Sequence, residues 1–146
     1  MTKYILHGGK AQHPNLENDE FFKEILKDAP VGAKVLLVHF ASDPEKGNIN
    51  KEKDLAQFKR IIGNRKVSFD EAGEETFLEQ LQNANIVYFG GGTTVRLLDA
   101  MKKFENLEKL FEGKTIAGES AWVNFLAEYC FSKSGGGVMK CLGGIP

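Results

Sequence analysis

Short runs of β-branched and aromatic residues alternate along the chain with stretches in which apolar side chains recur at helical spacing. That alternation is the pattern of βαβ units feeding a parallel sheet. Lys3–His7 predicts a first strand, and the helix near Leu16–Lys27 that follows gathers Phe21, Phe22, Ile25 and Leu26 on one face. Lys34–Phe40 (KVLLVHF) is apolar almost without a break, which predicts a strand buried on both faces at the centre of the sheet. Ser42-Asp43-Pro44 and Gly47-Asn48 predict a polar loop, after which Leu55, Phe58, Ile61 and Ile62 mark a helix that stops at Gly63-Asn64. A brief strand at Lys66–Phe69 and a short helix at Thr76–Gln82 lead to Asn85–Phe89 (NIVYF), a second central strand running into Gly90-Gly91-Gly92. Thr93–Phe111 keeps helical spacing throughout and predicts one long helix closed by Gly113. Lys114–Ala117 predicts a strand, Gly118-Glu119-Ser120-Ala121 a turn, Trp122–Phe131 an apolar helix and Val138–Leu142 a last short strand. The expected fold is α/β, a three-layer sandwich with a mostly parallel sheet.

Composition narrows the function classes without changing that fold. The 146 residues are 42% hydrophobic and suit one globular domain, 1–146. Nineteen basic and 20 acidic residues leave a formal charge of −1, so neither nucleic acid nor a membrane surface is an expected partner. No stretch is long and apolar enough to span a bilayer and Met1–Gly9 is too short for a secretory leader, so a cytoplasmic protein is expected. Cys130 and Cys141 have neither zinc-ligand nor redox-pair spacing and are read as buried thiols, and no metal or cofactor is expected.

Two strand-to-helix junctions could carry chemistry. At Gly118-Glu119-Ser120-Ala121-Trp122 a serine between strand and helix fits a nucleophile elbow, where the Ala121 N–H and the helix dipole face a developing oxyanion. The plainer reading is that Ser120 caps the helix. Gly90-Gly91-Gly92-Thr93-Thr94 lets backbone amides approach a ligand, as half of an oxyanion hole or as a phosphate cradle, unless the glycines serve only a tight turn. Neither a dinucleotide fingerprint nor a P-loop is present, which keeps a nucleotide-binding domain as the weakest reading.

The string Val87-Tyr88-Phe89-Gly90-Gly91-Gly92-Thr93-Thr94-Val95-Arg96-Leu97-Leu98, followed further on by Gly118-Glu119-Ser120-Ala121, resembles the serine peptidases related to aspartyl dipeptidase (dipeptidase E) and cyanophycinase. These share the class I glutamine amidotransferase-like, flavodoxin-like fold. Members typically read G-G-G-N-T and G-x-S-A-G, and here Thr93 replaces the Asn and Trp122 the last Gly. The resemblance implies Ser120 as nucleophile, oxyanion donors at Gly91 or Gly92 and Ala121, and a small peptide or amide as substrate. Thr93, Thr94, Glu119 and Trp122 are expected to line the pocket.

The family's histidine lies in a Pro-His motif after the last strand, whereas no histidine follows Ser120 here, and Cys141–Pro146 resembles the approach to that motif cut short. A single domain lacking the segment with the catalytic histidine is therefore expected. The family's acid would fall near Ser134-Gly135, where no carboxylate stands, and Glu128 is the only acid after Ser120. His39 and His7, at predicted strand ends, are the possible substitute bases, and His13 beside Pro14 is read as solvated. Glu71–Glu75 and Lys51–Asp54 are read as solvated helix faces or termini, and Arg96 as solvent-facing. A serine without a base is a poor nucleophile, so the alternative is a catalytically degenerate relative acting as a binding module.

Overall fold

The computed structural model describes residues 2–126. Five strands form one all-parallel sheet: β1 (Lys3–His7), β2 (Ala33–Val38), β3 (Val67–Glu71), β4 (Ile86–Phe89) and β5 (Thr115–Glu119), in the order β1-β5-β4-β2-β3. β4 is central and β2 lies beside it, as their unbroken apolar runs predict, and both are almost wholly buried. The helices are α1 (Leu16–Leu26), α2 (Gly47–Ile62), α3 (Phe77–Asn83), α4 (Thr94–Met101) and α5 (Leu107–Leu110), and residues 121–126 are also helical and are called α6. The expected strand Val138–Leu142, both cysteines and Glu128 lie outside the described residues.

Alternation along the strands divides the core into two layers. Val35, Leu37, Ile86, Tyr88 and Ala117 pack against Phe21, Phe22, Ile25 and Leu26 of α1 and Phe58 of α2. Leu36, Val38, Val87, Phe89 and Ile116 face α3, α4, α5 and α6 through Phe77, Leu81, Leu97, Met101, Leu107 and Trp122. The result is a three-layer α/β sandwich of flavodoxin-like type. β1 and β2 send their chains to one face, and β3, β4 and β5 to the other. The course therefore diverges between β1 and β5 and between β4 and β2, and a crevice opens at the strands' C-terminal ends.

Several boundaries differ from the sequence reading: β2 ends at Val38 rather than Phe40, and β3 runs on to Glu71, so that residue is an exposed strand end rather than part of a helix face. The long helix expected over Thr93–Phe111 is two helices: α4 stops at Met101, and α5 starts only after Asn106, which precedes it in a left-handed conformation (φ +56°). Nineteen helical residues would run about 28 Å, past strands of about 17 Å, so the break folds Leu107 and Phe111 back onto the sheet while preserving their spacing. α2 begins at Gly47, inside the expected loop. β5 extends to Glu119, so Glu119 is a strand residue rather than part of the turn.

Phe58 is fully buried and packs its ring on Phe22, Phe69 and Tyr88, at centroid distances of 4.9, 5.5 and 5.3 Å. Phe58→Ala is expected to cost about 3–5 kcal/mol. Urea unfolding measures it, and a cost under about 1 kcal/mol would mean that α2 does not seal this layer.

Candidate functional site

The register of the inner strands brings the two junctions together. Phe89 of β4 stands opposite Gly118 of β5, so the turn after β4 emerges level with the end of β5. Ser120, Gly91 and Gly92 line one cavity of about 380 Å³ with Glu119, Gly9, Lys10, Gln12, His13 and Asn50. Ser120 has φ +49°, its N–H donates to the His7 carbonyl at 3.0 Å, and its carbonyl accepts the Asn124 N–H at 3.2 Å. A capping serine takes an extended conformation, so this left-handed residue between strand and helix has the geometry of an elbow instead.

The glycine turn is packed tightly. Gly92 has φ +152°, and a Cβ there would lie 2.0 Å from the Ala41 carbonyl oxygen, while the adjoining Thr93 N–H donates to that same oxygen at 2.9 Å. Close packing thus accounts for glycine at this position whether or not a ligand binds. Thr93 is exposed at the start of α4, and Thr94 accepts a hydrogen bond from Asn124 Nδ2 at 3.3 Å. Neither is among the cavity's walls. Trp122 does not line it either, which corrects the sequence reading. Its indole is fully buried, stacked 4.1 Å from Phe89 at 6° and flanked by Phe111 and Phe125, because the first turn of α6 points it into the α3–α6 layer.

His7 and His39 are both committed to neighbours other than Ser120. Gly9 N–H donates to His7 Nδ1 at 2.9 Å, so the ring's proton sits on Nε2 and is given to Asn18 Oδ1 at 2.6 Å. Asn18 cannot reverse that assignment, because its amide nitrogen donates to the Lys10 and His13 carbonyls at 2.8 and 2.6 Å. His39 lies one residue beyond β2, with Nε2 at 2.6 Å from Asp54 Oδ2. Asp54 is 0% exposed and also accepts from Gln12 Nε2 at 3.1 Å. Its burial corrects the reading of Lys51–Asp54 as a solvated face: helical spacing turns this residue inward, where His39 meets it. The buried His39 Nδ1 and Tyr88 hydroxyl have no hydrogen-bond partner among the described residues.

Glu119 is buried as well. Its Oε2 accepts the Ala11 N–H at 2.8 Å, and its Oε1 lies against the turn at Gly91. Of the two glycines expected to donate to an oxyanion, it is Gly91 that packs against the Glu119 carboxylate. Burial pushes the Glu119 carboxyl above the ordinary range, and the Asp54 charge adds to the shift, while the Ala11 and Gly91 amides and His7 oppose it. Burial also raises the Tyr88 hydroxyl well above its usual value, aided by the charges of Asp54 and Glu119.

Three features of this site were not readable from residue spacing. His13 is exposed as expected, yet it stands on the cavity wall. Lys10 is there too, in a left-handed conformation (φ +62°) with no ion-pair partner among the described residues. Asn50 joins them from α2. Arg96 is exposed, 4.0 Å from Asp43. Among the described residues no group of three or more His, Cys, Asp or Glu could hold a metal, and no helix is long and apolar enough to cross a membrane.

The profile of peptidase family S51 matches residues 4–140. The fold is similar to the crystal structure of a candidate peptidase E protein from Listeria monocytogenes EGD-e, with a TM-score of 0.60 and 20% identity. That likeness covers 81% of this chain, and this chain spans only 58% of that structure's length. No curated protein matches the chain.

The raised Glu119 carboxyl fixes the sign of a pH effect. The folded chain holds this proton more tightly than the unfolded chain, so that contribution to stability is present at low pH and is lost as pH rises through the raised value. As pH rises above the ordinary carboxylate range the stability of Glu119→Gln should gain on that of the wild type, read by urea unfolding at each pH. A difference that moves the other way would mean that hydrogen bonding outweighs burial at this carboxyl.

Proposed function

The chain belongs to peptidase family S51, and from that premise we propose that it is a serine-type peptidase acting on small peptides, with the Ser120 hydroxyl as nucleophile. The observation that carries the reading is the left-handed Ser120 at the end of β5, sharing one cavity with the turn after β4. In this reading Ser120 Oγ attacks the scissile carbonyl carbon, and the carbonyl oxygen takes up negative charge. The Gly92 and Ala121 amides donate to that oxygen, assisted by the N-terminal end of α6. Collapse of the tetrahedral intermediate returns the carbonyl, breaks the C–N bond and releases the amine, which takes the proton lost by the serine.

That proton needs a carrier. His7 already uses both ring nitrogens, and His39 is held by Asp54. Among the described residues His13 is the histidine on the cavity wall with Ser120, and we propose that it carries the proton. Aspartyl preference rests on the resemblance alone. A single domain, 1–146, is part of the same proposal.

A fluorophosphonate probe tests this reading directly. Ser120 is expected to carry the adduct, Ser120→Ala to abolish it, and His13→Ala to slow it by about 10²–10⁴-fold, the usual contribution of general-base assistance. His39→Ala serves as the control for a merely structural histidine. Peptide binding with no adduct at Ser120 would instead favour a catalytically degenerate binding module.

A further inference from the structure

The carboxyl of Glu119 sits where three segments meet. It projects from the last residue of β5, directly before Ser120. Oε2 accepts the N–H of Ala11, a fully buried residue in the loop between β1 and α1. Oε1 lies 3.1 Å from where a Cβ on Gly91 would stand, so the turn is pressed against the carboxylate. Ala11 is held from its other side, since its carbonyl accepts Gln57 Nε2 at 2.8 Å.

A buried carboxylate is expensive to desolvate and no cation is paired with this one among the described residues, so packing alone gives no reason for it. We propose that Glu119 is a positioning residue: its carboxylate fastens the β1–α1 loop and the turn after β4 to the strand that delivers Ser120, and so sets where the Gly92 amide lies relative to the nucleophile. The inference rests on the reading of Ser120 as nucleophile. One carboxylate that accepts the Ala11 amide with one oxygen and presents the other to the Gly91 turn fixes the two segments' separation in a way that an amide side chain cannot, because one of its two polar ends is a donor. The titratable groups facing Glu119 are Asp54 from α2, His7 from β1 and Tyr88 from β4, with Lys10 and His13 from the β1–α1 loop on the same cavity. Burial places its protonation above the ordinary carboxylate range, so the fastening strengthens as pH rises through that range.

Two measurements on the whole chain test the proposal. In an NMR titration of the wild type, the Ala11 and Gly91 amide resonances should move together with one midpoint, and in Glu119→Gln that shared transition should vanish. Labelling of Ser120 by the fluorophosphonate should fall at least tenfold in Glu119→Gln and lose the limb of its pH profile that coincides with the amide transition. Glu119→Asp keeps the charge but not the reach, and should label as slowly as Glu119→Gln. Separate midpoints for the two amides in the wild type, or labelling of Glu119→Gln at the wild-type rate, would overturn the assignment. If the variants fail to fold, the wild-type titration decides. A shared amide transition in a protein whose Ser120 takes no probe would leave the fastening standing and remove the nucleophile.

Discussion

The indole of Trp122 lies flat on the ring of Phe89, centroids 4.1 Å apart and planes within 6°, and the rest of the crevice depends on that contact. Phe89 ends β4 and Trp122 belongs to the first turn of α6, so the stack fixes the angle at which α6 leaves β5. The approach is possible because residue 118 is a glycine: a Cβ there would stand 2.5 Å from Trp122 Cδ1 and 2.8 Å from the Phe89 carbonyl oxygen. With the helix pinned this low over the sheet, the chain must reverse within one residue. That residue is Ser120, and its left-handed conformation follows from the packing beneath it. Where the resembling family carries glycine, this chain carries a tryptophan, which serves the core below the elbow and leaves the cavity above it open.

On the opposite face of the same strand ends runs a buried polar row. His7, Glu119, the Tyr88 hydroxyl, His39 and Asp54 come from four strands and α2, and Gln12, Asn18 and Gln57 supply further hydrogen bonds around them. Such a row is costly in an apolar layer unless its members satisfy one another. Most do. The exceptions, His39 Nδ1 and the Tyr88 hydroxyl, lie on neighbouring strands beneath the crevice rather than in the deep core. Polar groups are concentrated where the chain diverges and the sheet is open to ligands, while both hydrophobic layers below are rich in aromatic rings, with the buried Trp122 Nε1 among them.

The fold was legible because parallel strands buried on both faces leave an uninterrupted apolar signature, as in Val35–Val38 and Ile86–Phe89. Helix continuity was less so. Apolar spacing carries on across Lys102–Asn106 because Phe104 and Leu107 still reach the core through the turn, and one asparagine at φ +56° leaves no trace in periodicity. The site was legible where backbone chemistry marked it, at Gly92 and Ser120. It was illegible where charge met burial: Asp54 sits among Lys51, Glu52 and Lys53 and looks solvated until its partner, His39, is brought over it by the β2–α2 crossover. Lys10 and His13 could not be assigned for the same reason, since the loop that presents them is shaped by Asn18 and Glu119, residues distant from each other in sequence.

The conformation of Ser120 has an energetic implication that separates it from the other polar residues of the crevice. A non-glycine residue held in the left-handed region costs on the order of 1–3 kcal/mol and persists only where the surroundings over-determine it. Here a hydrogen bond to the His7 carbonyl, the Asn124 amide and the Trp122 stack together enforce it. Glycine would adopt the same conformation without that cost. Stability alone therefore favours glycine at this position, and at the next residue back burial opposes the Glu119 charge. Two adjacent positions at one cavity, each occupied by a residue that the fold would be easier without, make the cavity rather than the core the reason for their identities.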